Sequence, residues 1–298
     1  MKKIHLKSLS SLLVVFLVIL SSCNDENFNL ATSDSQNVEN EAATDGYFED
    51  ADDMATLAVA VDASTASGGR ESSSGREGVK PDGDHRFNCA TVTFEFANDN
   101  NQDKPHGFII INFGEGCTDA RGNVRKGKIK VEFVGKRFLP GSKIITTFME
   151  YFINGIKIEG TRTVTNVSGS IESNPKFSIV LVGGKATWPD GSSATREVNH
   201  TREWVRGNNP LTDQWIVDGT SAGTNRNEKT YQVEITKPLV YKRQCAISNK
   251  IFMAVEGTKV LTVENKVITI DYGTGECDKL VTITINGQSK TIEVKADN

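Results

Sequence analysis

Histidine is scarce in this chain, with four residues in 298; His85, His106 and His200 are the ones beyond the first few positions. No two of them stand at a paired metal-ligand spacing. Catalytic zinc generally takes three protein ligands, so a zinc enzyme is not expected. Proline is limited to seven residues, and no long stretch keeps a helical period, which turns the reading toward strands. Beyond residue 20 no apolar run approaches the roughly 20 residues that a membrane-spanning helix needs. A serine hydrolase requires Ser, His and an acid brought together in space, and no nucleophile elbow is read here. Carboxylates are plentiful, but no spacing singles out a pair for glycoside hydrolysis. No catalytic residue, metal or cofactor is assigned, and an enzyme is the minority reading.

What is present begins with Lys2, Lys3 and Lys7 ahead of the apolar "LLVVFLVIL" (12–20), the form of a secretory leader. "LSSC" (20–23) follows and resembles a bacterial lipobox, which implies a signal peptide over 1–22 and a lipid on Cys23. Several acyl chains on one cysteine hold a protein to a membrane without a span, since each buried methylene contributes about 0.8 kcal/mol. Residues 23–84 hold fifteen acidic and three basic residues, whereas residues 85–298 hold 23 acidic and 28 basic. Charge split in this way speaks to solubility and partners rather than to fold.

The acidic segment 23–84 reads as a flexible tether, rich in Ser, Asn, Asp and Gly, with "SGGRESSSGREG" (67–78) as a spacer. Within it, Tyr47, Ala51, Met54, Ala58 and Val61 share one helical face, so a marginal helix over 46–62 is predicted, with Asp45 as its cap. From residue 85 the text alternates. "KIKVEFV" (128–134), "IKIEGTRTV" (156–164) and "KFSIVLV" (176–182) are separated by turn signals, including "NG" at 154–155 and 286–287. One all-β domain over 85–298 is predicted: an antiparallel meander of a dozen or so strands, forming a large twisted sheet or sandwich.

Two phrases recur. "FGEGCTD" (113–119) and "YGTGECD" (272–278) each follow a strand-like run, and "CATVTFEFA" (89–97) and "CAISNKIFMAV" (245–255) precede them. Four cysteines allow three pairings, but matching units over about 87–135 and 243–295 argue for Cys89–Cys117 and Cys245–Cys277. Bridged, these cysteines are neither thiolate ligands nor nucleophiles. Asn112 and Asp119 correspond to Asp271 and Asp278. Such oxygens can hold Ca²⁺, but Asx side chains more commonly close turns on their own backbone, which is the expectation here.

The candidate ligand-binding residues are Arg125, Lys126, Lys128 and Lys130, in a basic run over 121–143 that also holds Arg137, together with Trp188 at the "WPDG" turn. The basic run suits an anionic glycan, a lipid head group or the protein's own acidic tether; a solvated strand face is the plainer alternative. Nucleic acid is not expected, because aromatics are not interleaved with the cations.

"LSSC", the acidic tether, "INFGEGCTDARGNVRKGKI", "GTRTVTN" and "ITIDYGTGECD" together resemble envelope lipoproteins of Bacteroidota, a group without an assigned activity. The resemblance implies a lipid-anchored protein of the outer membrane with an all-β domain. The function expected is non-enzymatic binding or scaffolding, with an anionic glycan or an envelope protein as partner. The alternatives are a periplasmic lipid carrier or assembly factor with a groove in its sheet, and a polysaccharide-acting hydrolase.

Overall fold

The computed structural model describes residues 32–66, 76–101, 103–249 and 251–294. The signal peptide, Cys23 and most of the Ser/Gly spacer lie outside them. Helix α1 spans Thr32–Ala66. Fourteen strands follow in a single sheet whose spatial order is the order of the chain. They are β1 (Arg76–Glu77), β2 (Thr91–Phe96), β3 (His106–Thr118), β4 (Val124–Val134), β5 (Lys143–Ile153), β6 (Ile156–Asn166), β7 (Lys176–Thr187) and β8 (Ser193–Val205). After these come β9 (Gln214–Thr224), β10 (Thr230–Lys242), the short helix α2 (Arg243–Asn249), β11 (Glu256–Val263), β12 (Lys266–Thr274), β13 (Leu280–Ile285) and β14 (Gln288–Glu293).

Every neighbouring pair in the sheet is antiparallel, so the predicted all-β meander is present as one sheet. Its hairpins form where the dipeptides place them. Asn154 and Gly155 have φ of 49° and 80°, and Asn286 and Gly287 have 52° and 79°. Positive φ at both central residues is the tight turn whose twist matches the flanking strands. Alternation then sends one set of side chains inward: Ile129, Val131 and Phe133 of β4 are buried between exposed or half-exposed neighbours. Register shifts interrupt several pairs, including β3–β4, β4–β5 and β6–β7. Bulges of this kind add local twist and bend a broad sheet. The edge strand β14 is mostly exposed and polar, a composition that discourages further pairing.

Both predicted bridges are present, with Cα–Cα distances of 5.7 Å for Cys89–Cys117 and 5.1 Å for Cys245–Cys277. The first ties the approach to β2 to the end of β3. The second starts from a helix: Cys245 lies in α2, not in the strand predicted for "CAISNKIFMAV". The two units also differ at their glycines: Gly114 and Gly116 lie within β3 at a register shift against β4, whereas Gly273 and Gly275 stand at and just past the end of β12.

The larger correction concerns the acidic segment. Residues 32–66 are not a loose linker with a marginal turn of helix; they form 35 residues of helix lying across the sheet. Phe48, Ala51, Met54, Ala55, Ala58 and Val59 are almost fully buried, in one cluster with Ile109, Ile129 and Ile158 of the sheet. Asp45 does not cap the helix but sits in its interior, bonded to Arg196. The apolar face alone is too narrow to announce such a helix. Its buried face is completed by carboxylates, which composition alone reads as solvated.

Candidate functional site

The carboxylates of α1 meet cations that β-alternation has turned to the same side of the sheet. In β8, Ala194, Arg196, Val198 and His200 are buried in alternation with more exposed residues. Arg162 of β6 is 1% exposed. Glu41 receives hydrogen bonds from Arg196 at 2.9 Å and from Lys259 of β11 at 2.7 Å. Asp45 takes the other arm of Arg196 at 2.8 Å. Glu49 joins Arg162 and Arg202, each at 2.5 Å, and Asp52 faces the same two guanidiniums at 3.5 and 3.6 Å. Asp50 pairs with Arg86 and Arg125, each at 3.0 Å, and Asp34 with Lys266 of β12 at 2.6 Å. Read along α1, the partners run from β12 to β4, so the helix crosses the strands.

Burying charge is costly, and here it is compensated in place. Burial alone would raise the Glu41 carboxyl, but Lys259 and Arg196 outweigh it and hold the group at about 2. Burial likewise opposes ionisation of Glu49, and Arg162 and Arg202 push its pKa well below the usual carboxylate range. For Asp52 burial dominates and raises it.

Beside this ionic seam lies a cavity of about 700 Å³, between α1, strands β8–β12 and the segment joining α2 to β11. That volume is within the roughly 300–1,000 Å³ of small-molecule sites. Val217, Val233, Ile235, Leu239 and Ala254 give it an apolar wall, and Phe252, 68% exposed, also lines it. Charged side chains of the seam line the same space, and Asp52 Oδ1 and Arg196 Nε on it lack hydrogen-bond partners among the described residues. His200 Nε2 and Ser221 Oγ are buried and have no hydrogen-bond partner among the described residues. Such groups ordinarily find partners, and leaving one unmet costs about 1–3 kcal/mol. Burial lowers the His200 pKa to about 4, so the imidazole is neutral near pH 7.

Ser221 stands in Gly219-Thr220-Ser221-Ala222-Gly223, the Gly-x-Ser-x-Gly spacing that sequence reasoning missed. The structure gives the spacing a packing cause. A Cβ on Gly219 would collide with the Asn199 carbonyl, and one on Gly223 with that of Thr195, both on β8. The motif lies within a strand paired on both sides, not at a strand-to-helix elbow. Ser221 Oγ is not hydrogen-bonded to His200, as an activated nucleophile requires.

A smaller cavity of about 100 Å³ adjoins the first and shares Asp52, Thr56, Arg137, Arg202 and Trp215 with it. Trp204 and Trp215 stack along it with ring centroids 6.5 Å apart and planes 11° apart.

The residues singled out from sequence are dispersed. Arg125 is 2% exposed and bonded to Asp119 and Asp50, so it belongs to the interior. Of the predicted partners for the basic run, Arg125 has met the acidic segment itself. Lys126 remains on the surface, 3.0 Å from Glu115, and Lys128 is exposed. Lys130 is half-buried with its ammonium 4.5 Å over Phe108. Trp188 is half-buried against the main core and covered by Arg226 at 4.4 Å; it is not an open platform. Asn112, Asp119, Asp271 and Asp278 each accept a backbone N–H within two residues, as turn closure predicts. Among the described residues no group of three or more metal-ligating side chains occurs. No family model, curated protein or solved structure matches this chain.

Proposed function

We propose that this chain is a lipid-anchored protein of the outer membrane whose β domain is a non-enzymatic binding module, with its ligand held in the cavity between α1 and β8–β12. This reading favours the carrier alternative over capture of a glycan on the basic strand face. The observation that carries it is the cavity of about 700 Å³ with an apolar wall and buried, unpartnered polar groups that include His200 and Ser221. Site-like cavities combine mostly apolar lining with a few placed polar groups in this way. The basic run supports a surface site less well, because Arg125 is occupied within the fold and Lys126 has Glu115 beside it.

The test is extraction and mass spectrometry of the protein purified from membranes, alongside titration with an anilinonaphthalene sulfonate probe. A small apolar or amphipathic molecule should leave with the wild-type protein, and the probe should compete for its place. Ser221→Trp and Val233→Trp, which fill the cavity from two strands, should lose both while keeping the wild-type melting temperature within a few degrees. A clean extract together with no probe binding would end the proposal.

A further inference from the structure

The cations around α1 follow one rule with an exception. Arg86, Arg125, Arg162, Arg196 and Arg202 each have a carboxylate of α1 within 4 Å. Arg137, in the turn between β4 and β5, does not. Its guanidinium makes no hydrogen bond or ion pair among the described residues and lies over the Phe138 ring, 4.9 Å away. The nearest acids, Asp52 and Asp53, lie within 4 Å of Arg162, Arg202 and Arg86 rather than of Arg137, although Asp52 Oδ1 makes no hydrogen bond among the described residues. Burial disfavours the Arg137 charge more than those acids favour it. A partly buried guanidinium without a counter-ion is costly to keep.

Its place gives that cost a purpose. Arg137 lines both cavities and stands where they adjoin. In the smaller one, Trp204 Nε1 is buried and also lacks a hydrogen-bond partner. Guanidinium and indole N–H are donors only. Two donor-only groups at the polar end of a largely apolar space call for an acceptor-rich anion, and a planar guanidinium fork suits a carboxylate or a phosphate. The space beyond is lined by Val217, Val233, Ile235 and Leu239.

We propose that the ligand is an amphipathic anion, its carboxylate or phosphate held by Arg137 with Trp204 Nε1 and its apolar body lying along the β9–β10 wall of the larger cavity. This inference rests on the cavity reading above and adds the chemical class of the ligand and the residue that selects it. Ser221 and His200 then meet polar groups further along the ligand.

The experiment is calorimetric titration of the full chain with four probes: dodecanoate, dodecyl phosphate, dodecanol and inorganic phosphate. Wild type should bind one or both amphipathic anions at least tenfold more tightly than dodecanol, and inorganic phosphate weakly or not at all. Arg137→Met should weaken the anions about 10- to 100-fold, the range for a hydrogen bond to a charged group, and leave dodecanol unchanged. Arg137→Lys should recover part of the loss, and Trp204→Phe should lose a smaller part. Because Arg137 has no ionic partner in the fold, Arg137→Met and Arg137→Lys should melt no lower than wild type. Equal binding of dodecanoate, dodecyl phosphate and dodecanol, unaffected by Arg137→Met, would overturn the anion assignment while leaving the cavity proposal standing. Inorganic phosphate binding as tightly as dodecyl phosphate, and through Arg137, would overturn the amphipathic part. If no probe binds, both proposals fail.

Discussion

Replacing Glu41 with Gln tests whether α1 is held to the sheet by its buried charges. The carboxylate is 2% exposed and bonded to two cations. In Glu41→Gln, Arg196 keeps Asp45 at 2.8 Å, but Lys259 loses the one carboxylate it has among the described residues. Two routes give the size of the effect. A carboxyl held near 2 instead of 4.5 corresponds to about 3 kcal/mol of stability at neutral pH. Breaking a buried pair from one side generally costs about 3–5 kcal/mol, because the other charge is left stranded. For a domain of this size that lowers the melting temperature by about 6–20 °C. The assay is urea unfolding followed at once by tryptophan fluorescence, which reports on β8, β9 and the turn before β8, and by far-ultraviolet circular dichroism at the helical band. Adding Lys259→Met removes the stranded ammonium, so the double variant should be more stable than Glu41→Gln alone. If Glu41→Gln stays within about 0.5 kcal/mol of wild type, the carboxylate is solvated and the account of the helix is wrong.

Acidification should remove the stability that His200 and Glu41 supply, while Asp52, raised by burial, contributes in the opposite sense. His200 titrates near 6.5 when unfolded and near 4 when folded, so the unfolded chain gains a proton first and up to about 3 kcal/mol is lost between those values. Glu41 continues the loss from about pH 4.5 to 2, since its folded pKa is depressed. His200→Gln should flatten only the upper part of that profile, measured by urea midpoints at each pH. Loss of either bridge should cost about 3–4 kcal/mol by chain entropy, and Cys89–Cys117 should be reduced first, because Cys89 is exposed whereas Cys245 is fully buried. Alkylation with time of reductant exposure, read by mass spectrometry, gives the order. Lys126→Ala with Lys128→Ala should leave the melting temperature within about 1 °C, as exposed charges contribute little; a loss of several degrees would place those lysines in the fold.

The sheet was legible in the sequence because its determinants are local. Asn-Gly turns with positive φ and two-residue alternation act between neighbours in the chain, and a meander needs nothing else. The repeated aromatic-Gly-x-Gly phrase, with a cysteine one or two residues after its second glycine, likewise indicated the bridges. The site was illegible because it depends on pairing across distance. Arg162, Arg196, Arg202 and Lys259 read as outward-facing polar residues until their partner is known. A signal did exist on both sides. Glu41, Asp45, Glu49 and Asp52 recur at steps of four, four and three, one face of a helix. Arg196, His200 and Arg202 keep the inward parity of Ala194 and Val198. Hydrophobic periodicity sees neither pattern, since each apolar stripe is completed by charges that cancel only in the assembled fold. Arg137 belongs to the basic run by composition, and only the pairing of all its neighbours distinguishes it.

The crossing of α1 over the sheet also sets an order of assembly. The helix precedes every strand in the chain, yet Asp34 bonds Lys266, 232 positions later, and Glu41 bonds Lys259, 218 positions later. Strand-to-strand contacts close short loops and can zip from hairpin to hairpin, while these closures wait for nearly the whole chain. The N-terminal half of α1 is therefore fastened last, while its C-terminal half can dock through Asp50 and Glu49 as soon as β4 and β6 have formed. Until then Lys259 and Lys266 lie without their carboxylates, and the side of the cavity bounded by β11 and β12 is open. On this ordering the cavity between α1 and β8–β12 closes late, when Glu41 and Asp34 near the start of α1 meet Arg196, Lys259 and Lys266.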